Sequence, residues 1–518
     1  MRRPSAVTAT QPIPVRRIPQ STLFPSRRRQ VAATLSAGRG GGPCDASRCA
    51  ALAQASRPPY PRAVRFVVAG GGVAGLACAL AVARAGHEAV VLERDPVGPQ
   101  TDAAGAFDVP RSGIPHFQQP HAFLPRGRRV LLDLAPDVVD LLLEAGAEPQ
   151  DLSEQLRGPP EPGDEDLVYL WVRRPVIEWA LRRAAAAQPG VVLRPGATVT
   201  GLLTDPHDRA AGVTLEGGEE VRGELVVDAL GRYRAPAGWP RAVGTPTDSG
   251  AVYFCRYFRL APGVEHHGAP LLNPRGDLGY MGFNTFRGDA RTFAVILLVP
   301  AADRALRVLH EEGPWEAACG AIRPLDVMTS PDRARPITGV MPMGGLMNVD
   351  RTGDPGVAGL AAVGDALCHT DPAFAYGLSF SLAHAAALGK AAAEAPDGDA
   401  VAQHHRAAVG AEARERHALA CATDDARARR WAGEPLDLTR RDGCWPLFSF
   451  AGALAAAPHD DHVLRRTIRR IGLLDRTAVF DEDDALHDRI EAILRRAGGP
   501  PAPPGPPREE LLAQVAER

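Results

Sequence analysis

Gly70, Gly72 and Gly75, followed by Glu93, have the types and spacing needed to hold a dinucleotide. Backbone can approach a phosphate only where no Cβ intervenes. Gly72 is therefore the residue a pyrophosphate would lie against, while Gly70 permits the tight turn and Gly75 lets helix and strand pack closely. A helix opening at Val73 and Ala74 would turn its free N–H groups and positive dipole end toward the phosphates. Glu93, with Arg94 behind it, ends the next apolar run where a carboxylate accepts hydrogen bonds from a ribose 2′-hydroxyl and disfavours a 2′-phosphate. A different chemistry is open to Arg256, the cation inside the apolar run YFCRYFRL. Pointed into a cavity it would stabilise an oxyanion or orient a carboxylate; pointed outward it is a solvated face.

These residues need elements to position them. Residues 64–93 read as strand, glycine turn, alanine-rich helix and second strand, the register in which the glycine pattern carries weight. Residues 126–146 have leucines and valines at helical spacing. A short apolar strand, 167–172, runs into Arg173-Arg174-Pro175, with proline at a tolerated first-turn position of a new helix. Residues 191–228 read as strands, with a hairpin turn at Gly217-Gly218. The alternating patterns of 250–300 suit an antiparallel sheet, in which Tyr280, Phe283 and Phe286 line a cavity or make core. Helices are expected over 378–430 and 460–497. The proline-rich stretch Gly498–Arg508 is expected to lack order.

Bulk composition excludes several classes. The 518 residues are 45% hydrophobic, enough for more than one core. The net charge of −2 is unevenly spread, since residues 1–62 carry eleven arginines against Asp45. The acidic remainder argues against nucleic-acid binding. No apolar run is long enough to cross a bilayer. The eight cysteines are scattered with no Cys-x-x-Cys pair, which predicts free thiols in a reducing, cytoplasmic setting and no metal site. Residues 1–62 remain open to three readings: a disordered tail, a transit-like segment, or a mis-called start, because Val64 opens the first strand directly.

Two further segments decide which nucleotide is bound. Leu225–Arg232 is a strand ending in a small-residue turn. Val363-Gly364-Asp365 is a strand and a Gly-Asp turn, with Pro372 before a helix that starts around Gly377-Leu378. A carboxylate at such a strand end can bond the hydroxyls of a ribityl chain, and the helix start can aim N–H groups at a flavin pyrimidine edge. An NAD enzyme has no use for this third element.

With these motifs in order, residues 64–389 resemble the FAD-dependent aromatic hydroxylase and squalene-epoxidase-like monooxygenase superfamily. The loop Ile114–Gly127 resembles that of actinobacterial FAD-dependent oxidoreductases. The resemblance implies an α/β fold: a discontinuous, doubly wound Rossmann-like FAD domain (63–244 and 351–400), a mixed or antiparallel substrate sheet (245–350), a C-terminal helical region (401–497) and a proline-rich tail (498–518). It implies FAD contacts from Arg174, Val199, Gly364, Asp365, Gly377 and Leu378, and puts His116 and His121 near the flavin. His121 is a candidate acid/base, whereas His369, after the Gly-Asp turn, suits a structural role.

The activity implied is hydroxylation or epoxidation of a hydrophobic small molecule with O2 through a flavin C4a-hydroperoxide, NAD(P)H or a separate flavin reductase supplying electrons. A reductase of the geranylgeranyl-reductase type and a non-catalytic flavoprotein share the same motifs. Two departures stand out. Ala375 occupies a position usually glycine, so its backbone must keep φ negative or carry strain. The Asp-Gly motif linked to nicotinamide use is reduced to Asp228-Ala229-Leu230-Gly231. Lys390 is the only lysine, which argues against halogenation.

Overall fold

The computed structural model describes residues 63–98, 102–232, 235–268, 271–499 and 502–517. The three readings of residues 1–62 lie outside the described residues. Pro61–Arg518 form one compact unit. Its centre is a five-stranded parallel sheet in the order Leu360–Ala362, Leu225–Asp228, Arg65–Ala69, Glu88–Glu93 and Val191–Pro195. Both faces are covered, which is why these strands read as unbroken apolar runs.

One face is packed by helix Val73–Arg84, whose small side chains are almost all buried against the sheet and against helix Tyr376–Glu394. The close approach needs Gly389, where a Cβ would meet Ala81 Cβ at 2.9 Å. The other face is covered by a three-stranded antiparallel meander, Val199–Thr204, Ala210–Leu215 and Glu220–Arg222, over Val67, Ala69 and Val226.

The second sheet is antiparallel and centred on Ala251–Leu260, paired with Thr292–Pro300, which in turn pairs with Gly282–Arg287. One face packs on helix Glu312–Ala321 around Trp315. The opposite face looks toward the parallel sheet. The 34-residue helix Gly398–Trp431, opened by Asp397 accepting from Ala400 N–H at 3.0 Å, lies beside helix Tyr376–Glu394. Shorter helices at 445–496 build a further core with Tyr169, Trp171 and Phe380.

The chain end differs from expectation. Arg508–Ala516 is a helix, buries Leu511 and Val515 in the core of the antiparallel sheet, and fixes Arg508 to Asp303 at 2.8 Å. The prolines before it hid a helical segment. Among the described residues no helix is long and apolar enough to cross a membrane.

Candidate active site

A cavity runs between the two sheets, enclosing about 1920 Å³ of space including its open mouth. At one end is the glycine turn. Gly70 has φ +109°, and a Cβ there would lie 2.3 Å from the Ala229 carbonyl oxygen. Gly75 lies behind the cavity wall, where a Cβ would come within 1.9 Å of the Gly70 oxygen. Gly72 differs: its φ of −80° suits any residue, and the nearest atom to an added Cβ is Ile114 Cδ1 at 3.7 Å. Its empty side faces the cavity beside Val73 and Ala74.

Glu93 ends its strand on the cavity wall, held by the Gly71 N–H at 3.0 Å, the Asp95 N–H at 2.9 Å and Arg111 at 3.0 Å. Arg111, 1% exposed at its side chain, also binds Asp95 at 2.9 Å and Glu178 at 2.8 Å. Glu178 in turn meets Arg174 at 3.3 Å and Arg182 at 3.0 Å. Three arginines thus balance three carboxylates beneath the glycine turn. Sequence reasoning missed Arg111 and Glu178; neither belongs to a spaced motif.

Arg174 borders the cavity with its guanidinium 5.2 Å from the Phe117 ring centroid. Its Nη1 is buried without a hydrogen-bond partner among the described residues. Arg94 and Val199 border the same end, Arg94 half-exposed and Val199 buried. Asp365, Gly377 and Leu378 line the cavity too. Gly364 stands just behind them at φ +56°, its N–H donated to His384 Nδ1 at 3.1 Å. Ala375 takes φ +55°, so this chain carries the left-handed strain at that position.

His116 and His121 both line the cavity, ring centroids 5.8 Å apart. His121 Nδ1 donates to the Gln119 carbonyl at 2.7 Å, leaving Nε2 as an acceptor. Burial, reinforced by Arg174, drives its pKa down to about 3, so it is neutral and a poor proton donor at neutral pH. Burial also depresses His369, to about 4.

Arg256 is not brought to the cavity. Strand alternation turns it to the opposite face, where it binds Glu312 at 2.9 Å, Glu316 at 2.6 Å and the Thr338 carbonyl at 2.8 Å. Its odd-numbered neighbour Tyr253 faces inward instead. Phe286 lines the cavity, Phe283 joins the outer core, and the Tyr280 hydroxyl donates to the Pro506 carbonyl at 2.9 Å.

The donor set fits a flavin dinucleotide: an open glycine cradle, an unpartnered arginine nitrogen and a helix start beyond a Gly-Asp turn. Parallel sheet, meander and antiparallel wall give the chain the fold of solved flavin-dependent enzymes. Residues 65–157 match the family described as FAD dependent oxidoreductase. Among solved structures, PqsL of Pseudomonas aeruginosa, a probable FAD-dependent monooxygenase, superposes with TM-score 0.53 at 16% identity, over 72% of this chain and 99% of that one. The flavin-dependent brominase Bmp2 gives 0.55 at 16% identity, over 83% and 100%. A single-residue variant of Klebsiella pneumoniae HpxO, complexed with FAD, gives 0.51 at 14% identity, over 82% and 98%. At these identities the likeness is one of fold. No curated protein sequence matches the chain.

Proposed function

We propose that this chain is an FAD-dependent monooxygenase that hydroxylates or epoxidises a hydrophobic small molecule. The observation carrying this reading is the continuity of the cavity, from the glycine cradle past Asp365 to an apolar sheet face. FAD, once bound and reduced, would supply the activation of O2. The chain's own residues would then bind, orient and exclude water. Gly72 and the helix start at Val73 would take the pyrophosphate, Glu93 the adenosine ribose, and Asp365 the ribityl hydroxyls. Arg174 would give its unpartnered Nη1 to the cofactor. The N–H groups of Gly377 and Leu378 would face the flavin's pyrimidine edge. His121, neutral, would offer only an acceptor. Phe286, Ile296 and Leu298 would keep the reacting end dry. NADH, NADPH or a separate reductase would deliver electrons, and the six unpaired thiols of the described residues suit a reducing cytoplasm.

The test is a visible spectrum of the purified 64–518 chain before and after NADH or NADPH under nitrogen, then O2 uptake on readmitting air. Bound flavin that bleaches and consumes O2 supports the proposal. Bleaching without O2 uptake favours a reductase, and a colourless folded protein overturns the cofactor assignment.

A further inference from the structure

The cavity wall farthest from the glycine turn is one face of the antiparallel sheet, and its polarity is specific. Alternation along three neighbouring strands puts Tyr253, Leu298, Ile296, Asn284 and Phe286 on that face. None of the five is charged. Two of them are polar, and hydrogen bonds fix each in one role.

The Tyr253 hydroxyl donates to Asp371 Oδ1. Asp371 is held as an acceptor by the Ala373 N–H at 3.1 Å and by Arg427, which donates to Oδ2 at 2.8 Å. Arg427 also meets Asp424 at 3.0 Å. Burial and the Asp371 charge raise the Asp424 pKa to about 8, so at neutral pH the Arg427 charge is matched to Asp371. With its proton committed to Asp371, the Tyr253 oxygen has only lone pairs left for the cavity. Asn284 is fixed in the opposite sense. Its Oδ1 accepts from the Thr285 N–H at 2.9 Å and from Asn273 Nδ2 at 2.6 Å, which leaves its NH2 group to donate.

Tyr253 pairs with Leu298 and Asn284 with Ile296, on strands flanking Thr292–Pro300. Two strand spacings and two residues along the strand separate their Cα atoms by about 12 Å. One small functional group cannot reach both.

We propose that Tyr253 and Asn284 select an uncharged, multi-ring substrate that carries a hydroxyl or N–H donor at one end and a carbonyl-type acceptor at the other. This rests on the reading of the cavity as a monooxygenase site, and it specifies the substrate class. Tyr253 accepts from the donor, Asn284 donates to the acceptor, and Phe286, Ile296 and Leu298 cover the apolar body between. Arg275, the cross-strand partner of Asn284, shares this face of the sheet but does not line the cavity, so a carboxylate or sulfate at either end would be desolvated with no lining cation on this wall.

The test is titration calorimetry on the FAD-loaded full chain with estrone, a rigid uncharged skeleton bearing a phenol and a ketone at opposite ends. Its 3-methyl ether, its 17-deoxo analogue and its 3-sulfate are the comparison ligands. Estrone is expected to bind at least tenfold more tightly than each of the three. Tyr253→Phe should erase the preference over the ether, and Asn284→Leu the preference over the 17-deoxo compound, with flavin retained in both variants. Equal affinity across the series, tighter binding of the sulfate, or no binding of estrone up to its solubility overturns the proposal. The wild-type series needs no variant to fold. A chain purified without flavin overturns the functional reading separately, and the same titration on it still reads the wall.

Discussion

Arg111 Nη2 meets Glu93 Oε2 at 3.0 Å, beneath the turn where the glycine pattern calls for a ribose-binding acid. The contact changes what Glu93 is. Two backbone N–H groups and a buried guanidinium already occupy most of its acceptor positions, so the carboxylate reaches the cavity fixed in direction. Arg111 does this for three acids at once.

Arg111→Met should therefore destabilise the fold strongly, by about 3–5 kcal/mol, because Glu93, Asp95 and Glu178 would lose their shared cation while staying buried. Urea unfolding of wild type and variant measures this. A change below about 1 kcal/mol would mean that water or Arg174 replaces the lost contacts.

The buried Asp371–Arg427–Asp424 cluster should make stability pH-dependent. Asp424 has its pKa raised from 3.8 to about 8, first by burial and then by Asp371. Between those values the unfolded chain ionises this group and the folded chain does not. Stability therefore falls as pH rises through the window, by at most about 1.4 kcal/mol per pH unit, and levels off above it. Asp424→Asn should flatten the melting temperature against pH between about 5 and 8. An unchanged slope in the variant would assign the dependence to another group.

Much of the fold was legible because its signals are local. The glycine turn, the strand end at Asp228, the Gly364-Asp365 turn and the alanine-rich helix each declare themselves within about ten residues. What stayed hidden depends on distant pairing. Arg427 reads as one arginine among many on a polar helix, yet it grips Asp371 from 56 residues away. The face of Arg256 was undecidable from its own strand, because alternation fixes its side only relative to a neighbour known to face the cavity. Tyr253 supplies that reference only once Asp371 is beside it. The helix 508–516 was masked by its preceding prolines, although Leu511 and Val515 carry the helical spacing that buries them.

Ala375 lies in the left-handed region, with φ +55° and ψ +23°, directly before helix Tyr376–Glu394. An L-residue there costs about 1–2 kcal/mol, while glycine adds about 0.5–1 kcal/mol of unfolded-state entropy. Ala375→Gly should therefore raise stability by about 0.5–1 kcal/mol, read as a higher Tm. A lower Tm would show that the Ala375 methyl group makes cavity contacts worth more than the strain.

The second and third glycines of the motif, Gly72 and Gly75, separate folding from cofactor binding. A methyl group on Gly75 would lie 1.9 Å from the Gly70 carbonyl oxygen, a clash with backbone that no rotamer relieves. Gly75→Ala should reach the soluble fraction poorly and melt well below wild type. A methyl group on Gly72 meets nothing closer than 3.7 Å, and its backbone is already in a region open to alanine. Gly72→Ala should fold with an unchanged Tm in the apo form. Its methyl group would nevertheless occupy the space a pyrophosphate needs, so FAD affinity by fluorescence titration should fall at least tenfold, about 1.4 kcal/mol. Wild-type affinity in Gly72→Ala would move the phosphate site away from this turn. Paired loss of folding and flavin in both variants would mean that Gly72 is structural as well.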